Sequence, residues 1–110
     1  MQTIGSFNLA NNGGFVCAGK VMFIDGSGNS GVSGRWDMIP LGKNETMNPV
    51  DQGVANGSLV QMYIDIAGGN DRTGGTYFLY DSNSNKCANY SITGTTLNSN
   101  VSFGGITPVG

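Results

Sequence analysis

The sequence predicts an all-β protein, an antiparallel β-sandwich of roughly seven or eight short strands. The clearest sign is the stretch Gly57–Gly69, in which apolar and polar residues alternate strictly; its apolar members are Val60, Met62, Ile64 and Ile66. Because successive side chains of a strand point to opposite sides, this alternation indicates one buried face and one solvated face. Elsewhere, clusters of Gly, Asn, Ser and Pro punctuate the chain at short intervals, and no segment has a sustained helical period.

The other strands are predicted from similar apolar or aromatic runs between turn signals: Thr3–Leu9, Phe15–Asp25, Arg35–Leu41, Glu45–Asn48, Thr76–Tyr80, Lys86–Thr93 and Thr96–Phe103. Phe15–Asp25 is apolar on both faces apart from Lys20, which predicts a central strand. Gly19 inside it predicts a bulge or a close approach. We expect the buried face of Val60–Ile66 to pack opposite this strand.

The C-terminal part of the chain predicts a hairpin. Asp81–Asn85, reading DSNSN, has the composition and length of a hairpin turn, and the strand Lys86–Thr93 follows it. Within that strand, Ala88, Tyr90 and Ile92 share one face and Cys87 lies on the other.

Length and charge limit the classes of function. The chain has 110 residues with 5 Lys or Arg, 7 Asp or Glu and a formal net charge of −2. We expect one domain over residues 1–110. The cations are scattered along the sequence, so binding to nucleic acid is not expected, because a phosphate backbone requires clustered positive charge.

The sequence contains no sign of targeting. No stretch approaches the roughly 18 apolar residues of a membrane span. Met1–Asn12 has neither the charged nor the apolar region of a signal peptide, so such a peptide either was removed or never existed. The compartment stays open, with a slight preference for an extracellular protein.

The two cysteines, Cys17 and Cys87, allow one disulfide. In the chain-entropy description, closing a loop of this length would stabilise the fold by roughly 4 kcal/mol. The alternative is two buried free thiols, since unpaired cysteine is among the most buried residue types. The two alternatives have equal weight.

The composition argues against an enzyme. The chain has no histidine, which removes the commonest general base, the usual partner of Ser and Cys nucleophiles, and the usual zinc ligand. Nearly all of the acidic residues lie in or beside loops, and a chain of this size has little room for the cleft between two carboxylates that a glycosidase requires. We therefore expect a protein that acts by binding, without a cofactor.

Two loops have a composition that resembles calcium-binding loops. Asp25–Asn29 and Asp81–Asn85 place oxygen-bearing side chains at alternate positions, as a hard cation prefers. Both lack the glycine and glutamate of an EF-hand loop. Asx-rich turns also satisfy their own backbone, and this metal-free interpretation has the greater weight.

Aromatic residues beside polar loops are the candidate ligand-binding residues. Trp36, Tyr63 and Tyr77 could stack on sugar rings or settle at a membrane interface, and Asp71 could accept hydrogen bonds. The alternative for Trp36 is the core tryptophan of a sandwich. The loops expected to contact the ligand are Gly26–Gly34, Gly68–Gly75 and Asp81–Asn85.

In size, acidic Gly- and Asn-rich composition and strand rhythm, the chain resembles the small β-sandwiches of the aegerolysin and actinoporin kind. The resemblance implies a protein that binds membrane lipid and assists in forming pores. It carries no residue role over to this sequence. We therefore expect a non-enzymatic, lectin-like or toxin-like protein that recognises a glycan or a membrane lipid headgroup.

The alternative function is structural, a subunit that assembles into a filament, coat or inclusion. Low charge and free edge strands favour contact between copies, so we expect a homo-oligomer. Thr3–Leu9 or Thr96–Phe103 would be the edges that pair.

Overall fold

Residues 1–109 are described by a computed structural model, and they form the predicted all-β sandwich. The strands within these residues are β1 (Thr3–Ile4), β2 (Ser6–Asn11), β3 (Cys17–Ile24), β4 (Ser30–Val32), β5 (Asn44–Met47), β6 (Leu59–Ile66), β7 (Arg72–Thr73), β8 (Phe78–Tyr80), β9 (Lys86–Gly94) and β10 (Ser99–Pro108). The helical structure described is one 3₁₀ turn, Pro49–Gln52, which Asn48 caps by accepting a hydrogen bond from the Val50 amide.

The strands form two mixed sheets. The first sheet has the order β1-β8-β6-β3-β4, with β7 also paired to β6, and the second has the order β10-β9-β2-β5. Most neighbours are antiparallel, as predicted, but β1 pairs with β8 and β2 with β9 in parallel. The pattern of apolar residues does not encode strand direction, so the sequence could not predict these two pairs.

The predicted first strand is divided between the two sheets at Gly5. β1 lies in the first sheet and β2 in the second. A side chain at Gly5 would place its Cβ 2.1 Å from the carbonyl oxygen of Ser84, so only glycine fits at this crossing. The Gly5 amide donates a 2.8 Å hydrogen bond to the Lys86 carbonyl oxygen, which joins the crossing to β9.

The core lies between the sheets and confirms the face predicted for β6. Val60, Met62, Ile64 and Ile66 are all buried and belong to one hydrophobic cluster with inward-facing residues of β2 and β9. The predicted position of β3 opposite β6 is wrong: the two strands are neighbours in the same sheet, with Cys17 beside Ile66 and Ile24 beside Leu59. The face of β6 therefore packs against the second sheet instead.

Gly19 marks a close approach, one of the two predicted alternatives. A Cβ there would lie 2.2 Å from the sulfur of Met47. Met47 is fully buried and lies on β5 of the second sheet, so the missing side chain of Gly19 lets the two sheets meet.

Two predicted elements are absent. Arg35–Leu41 is not a strand; it follows β3 through single contacts, such as the bridge between Ile39 and Cys17, before Pro40 removes a backbone donor. Asp81–Asn85 is a turn, but it does not form a hairpin, because β8 and β9 lie in different sheets. A turn of this length can lead a chain either back along its own sheet or across to another.

Of the two alternatives for the cysteines, the structure shows the second: Cys17 and Cys87 are both buried free thiols and form no disulfide. Cys17 belongs to the hydrophobic core on β3. On β9, Ala88 points into that core, so Cys87 points to the opposite side of the second sheet. Side chains that point away from each other on different sheets cannot form the bond without movement of the backbone.

Candidate ligand-binding face

The outer face of the first sheet collects the polar and half-exposed side chains of its two longest strands. On β6 the outward residues are those between the core positions, among them Gln61, Tyr63 and Asp65. On β3, Met22 is paired with Gln61 and Lys20 with Tyr63, and paired residues share a face. The face is therefore built in rows, one residue from each strand.

One end of this face carries a polar cluster of Lys20, Tyr63, Asp65 and Asp71. The Tyr63 hydroxyl donates a 2.5 Å hydrogen bond to Oδ2 of Asp71. The Lys20 Nζ lies 3.8 Å from Oδ2 of Asp65 and 5.8 Å from the centre of the Tyr63 ring. The hydrogen bond to Asp71, together with burial, raises the pKa of Tyr63 to about 12. Tyr63 therefore remains a neutral hydrogen-bond donor over the physiological range.

Beside the polar cluster lies an outer cavity of about 300 Å³, lined by Met22, Phe23, Ile24, Ser30, Gly31, Val32 and Tyr77. Its lining contains no charged residue. Val32, at 44% exposure, forms its outer rim on β4. Tyr77 directly precedes Phe78, which is buried in the core, so the Tyr77 side chain lies on the outward face.

Gln61 connects the cavity to the adjacent loop. Its amide Nε2 lies 3.7 Å from the sulfur of Met22, and its Oε1 accepts a 2.7 Å hydrogen bond from the Gly75 amide. The side chain is buried, with 7% exposure. Gln61 thus fixes the loop that carries Asp71 and Tyr77 over the sheet, which orders the face before any ligand arrives.

The structure places three of the four predicted ligand-binding residues on this face: Tyr63, Asp71 and Tyr77. Trp36 is separate from them. It is half-buried and packs against the hydrophobic core, on the inner side of the first sheet. This position matches the core interpretation of Trp36, and it leaves Trp36 outside the group formed by the other three.

Two of the three predicted contact loops contribute to the face, and both contain short strands. Gly26–Gly34 includes β4, whose residues line the outer cavity. Gly68–Gly75 includes β7 and supplies Asp71. Asp81–Asn85 instead lies against the crossing at Gly5.

The two calcium-like loops use their acidic groups on their own backbone. The Asp25 Oδ1 accepts hydrogen bonds of 2.9 Å from the amides of Ser27 and Asn29, and the backbone bond from Asn29 is the main cause that lowers the pKa of Asp25. Asp81 accepts a similar bond from the Asn83 amide. These are Asx turns. Within residues 1–109 no three acidic or cysteine side chains are grouped to hold a metal ion.

Sequence reasoning expected Gln61 beside Tyr63 on the solvated face of its strand, but it missed Lys20 and Met22. Their signal was present, since each lies at an alternate position of a predicted strand. What was lacking was the register, because only the pairing of β3 with β6 brings Lys20 beside Tyr63 and Met22 beside Gln61.

Comparison with known proteins gives a likeness of fold alone. No family model and no curated protein matches the sequence. Among solved structures, listeriolysin O matches with a TM-score of 0.51 and 20% identity, covering 96% of this chain and 22% of listeriolysin O. Pneumolysin matches with a TM-score of 0.49 and 18% identity over 90% of this chain and 23% of its own. The membrane-binding domain of pneumolysin matches with a TM-score of 0.46 and 14% identity over 90% of this chain and 94% of that domain.

The chain thus spans about a fifth of the length of listeriolysin O. In the described part of this chain, no helix has the length and apolar character needed to cross a bilayer.

Proposed function

We propose that the chain binds a neutral glycan on the outer face of its first sheet. The observation that carries this proposal is the grouping of Tyr63, Tyr77, Asp65 and Asp71 on one ordered face. Ligand sites combine apolar or aromatic surface with a few placed polar groups. A sugar ring presents both kinds of surface, because its faces carry C–H groups and its edges carry hydroxyls.

Each residue has a role in this proposal. Tyr77 offers an aromatic face for stacking. Asp71 and Asp65 accept hydrogen bonds from hydroxyls, and these bonds are stronger than neutral ones because the acceptor is charged. The Lys20 ammonium donates hydrogen bonds to hydroxyl oxygens of the sugar. The cluster holds two carboxylates against one ammonium, so it repels phosphate and other anionic headgroups and favours a neutral glycan.

The experiment is a glycan array followed by calorimetric titration with the best neutral glycan. Tyr77→Ala is expected to weaken binding at least tenfold, since stacking and its apolar contact are lost. Leu97→Ala is the matched control, because Leu97 is 64% exposed in a turn outside this face. Equal losses in both variants, or no glycan bound at all, would contradict the proposal. Binding to phosphatidylcholine vesicles that carry no glycan would indicate that the protein recognises a lipid surface instead of a glycan.

Self-assembly is the second candidate, and the observation that favours it is the edge strand β10. This strand ends the second sheet, so one side of its backbone has no neighbouring strand in that sheet. No charged residue occurs from Cys87 to Val109. Natural monomers protect such an edge with charges, bulges or proline. Because β10 has a bulge between Phe103 and Ile106 and ends at Pro108, its regular, uncharged part Ser99–Phe103 is the segment that favours pairing with another copy.

The oligomeric state tests this second candidate. Light scattering after gel filtration is expected to give an assembly for the wild type and a monomer for Ser102→Lys, which puts a charge on β10. Ser91→Lys is the control, because Ser91 is paired with Ser102 on the inner strand β9. A monomeric wild type at high concentration would exclude assembly through this edge.

A further inference from the structure

The outer face of the first sheet changes in polarity along the strands. At one end, Ile24, Leu59 and Leu79 form an apolar row across β3, β6 and β8, and Ser30 on β4 and Thr3 on β1 flank it. The next row contains Met22 and Gln61, with Tyr77 beside them at the cavity. Successive rows on one face are separated by about 7 Å, since each strand residue advances roughly 3.4 Å.

The polar cluster continues the same series. Lys20 and Tyr63 form the third row, and Asp65 follows on β6. The face therefore passes from apolar to polar over a few rows, with the outer cavity at the boundary. A glycan on the polar cluster would leave the apolar surface of Met22, Ile24 and Val32 uncovered, because these side chains donate no hydrogen bonds to hydroxyls.

The chemistry of the face thus matches an amphiphile. We propose that the ligand is a glycolipid whose neutral glycan headgroup lies on the polar cluster and whose hydrocarbon chain begins in the outer cavity. This inference rests on the glycan-binding function proposed above. The uncharged lining of the cavity accepts hydrocarbon, and the excess carboxylate of the cluster disfavours a phosphate headgroup.

The cavity sets how much the hydrocarbon chain can contribute. Its volume of about 300 Å³ lies at the small end of ligand pockets, so it holds the first part of a chain rather than the whole. Each methylene that enters is expected to tighten binding roughly fourfold, which corresponds to about 0.8 kcal/mol. The gain stops once the cavity is filled.

The test compares methyl, butyl and octyl β-glucosides and β-galactosides, each below its micellar concentration, with butanol and octanol. Calorimetry is expected to show affinity rising from methyl to butyl to octyl glycoside. Val32→Trp is designed to fill the cavity, since Val32 lines it and is 44% exposed. This variant is expected to bind methyl and octyl glycosides with equal affinity, because it loses the gain from the chain. Vesicles of phosphatidylcholine with and without glucosylceramide then test presentation by a membrane.

The outcomes separate the two proposals. Equal affinity for methyl and octyl glycosides, or a chain-length gain that survives Val32→Trp, overturns the glycolipid inference and leaves glycan binding standing. Octanol bound as tightly as octyl glycoside overturns both, because the headgroup would then contribute nothing. Absence of binding by every compound, together with an empty glycan array, also overturns both. If the protein binds soluble octyl glycoside but not glucosylceramide vesicles, the inference that the glycolipid is presented by a membrane is overturned.

Discussion

Replacing Gly5 by alanine tests the crossing that assigns β1 and β2 to different sheets. The added Cβ would lie 2.1 Å from the Ser84 carbonyl oxygen and 3.1 Å from that of Asp81. Both obstacles are backbone atoms of the turn before β9, so no side chain can rotate away. Relief requires the crossing and the turn to separate, which strains the 2.8 Å hydrogen bond from the Gly5 amide to the Lys86 carbonyl oxygen.

The size of the effect follows from that geometry. An extra methyl group in a well-packed site costs about 1–3 kcal/mol, and a backbone obstacle places this case at about 3 kcal/mol. One kcal/mol shifts the melting temperature of a domain near this size by roughly 4–8 °C, so Gly5→Ala is expected to melt about 12–24 °C lower. Gly26→Ala is the control, because nothing lies within 4 Å of a Cβ there.

Urea denaturation followed by the fluorescence of the half-buried Trp36 measures the free energy of unfolding of both variants. Gly26→Ala is expected to lie within about 1 kcal/mol of the wild type or slightly above it, since alanine restricts the unfolded chain. Surface substitutions ordinarily change the free energy of unfolding by up to roughly 0.5 kcal/mol. If the free energies of unfolding of Gly5→Ala and Gly26→Ala differ by no more than this, the described crossing is wrong.

Three other predictions concern Tyr63, the thiols and the core. Tyr63, with its pKa raised to about 12, is expected to ionise at lower pH in Asp71→Asn, as measured by ultraviolet absorbance; an unchanged midpoint would contradict the hydrogen bond. Because the folded pKa exceeds the unfolded value of 10.0, this stabilisation is complete below pH 10 and is lost as the pH rises through about 12. Cys17, whose pKa burial raises to about 11, and Cys87 are expected to gain two alkyl groups in denaturant without reductant, and an unchanged intact mass would indicate a disulfide. Ile64→Ala is expected to reduce the free energy of unfolding by about 2–5 kcal/mol, and a loss below about 1 kcal/mol would show that Ile64 is not in the core.

The sequence predicted the faces of the strands more accurately than their partners. The alternation in β6 and β9 identified core residues such as Ile64 and Tyr90, because burial of every second side chain is a local property of a strand. The partner of each strand was harder to predict from the sequence. The hairpin expected at Asp81–Asn85 does not form, because the chain passes to the other sheet there.

The candidate site shows the same division. Tyr63, Tyr77 and Asp71 could be selected from the sequence, since aromatic and acidic residues near loops are common in binding sites. Their grouping could not be selected, because Tyr63 and Asp71 meet only when the segment of β7 folds back along β6. Lys20 and Met22 join them through the pairing of β3 with β6, which links residues about forty positions apart.

By itself, the sequence determined the class of fold and the inward face of β6, because both depend on the two-residue period of a strand and on the free energy of burying apolar side chains. It also placed a glycine at Gly5, where the backbone of another segment comes too close for a side chain. The tertiary structure decided which strands are neighbours, which of them run parallel, and how the polar cluster meets the outer cavity. Those features depend on hydrogen bonds between segments far apart in the chain, and backbone donors and acceptors are the same at nearly every residue, so no local pattern distinguishes one partner from another.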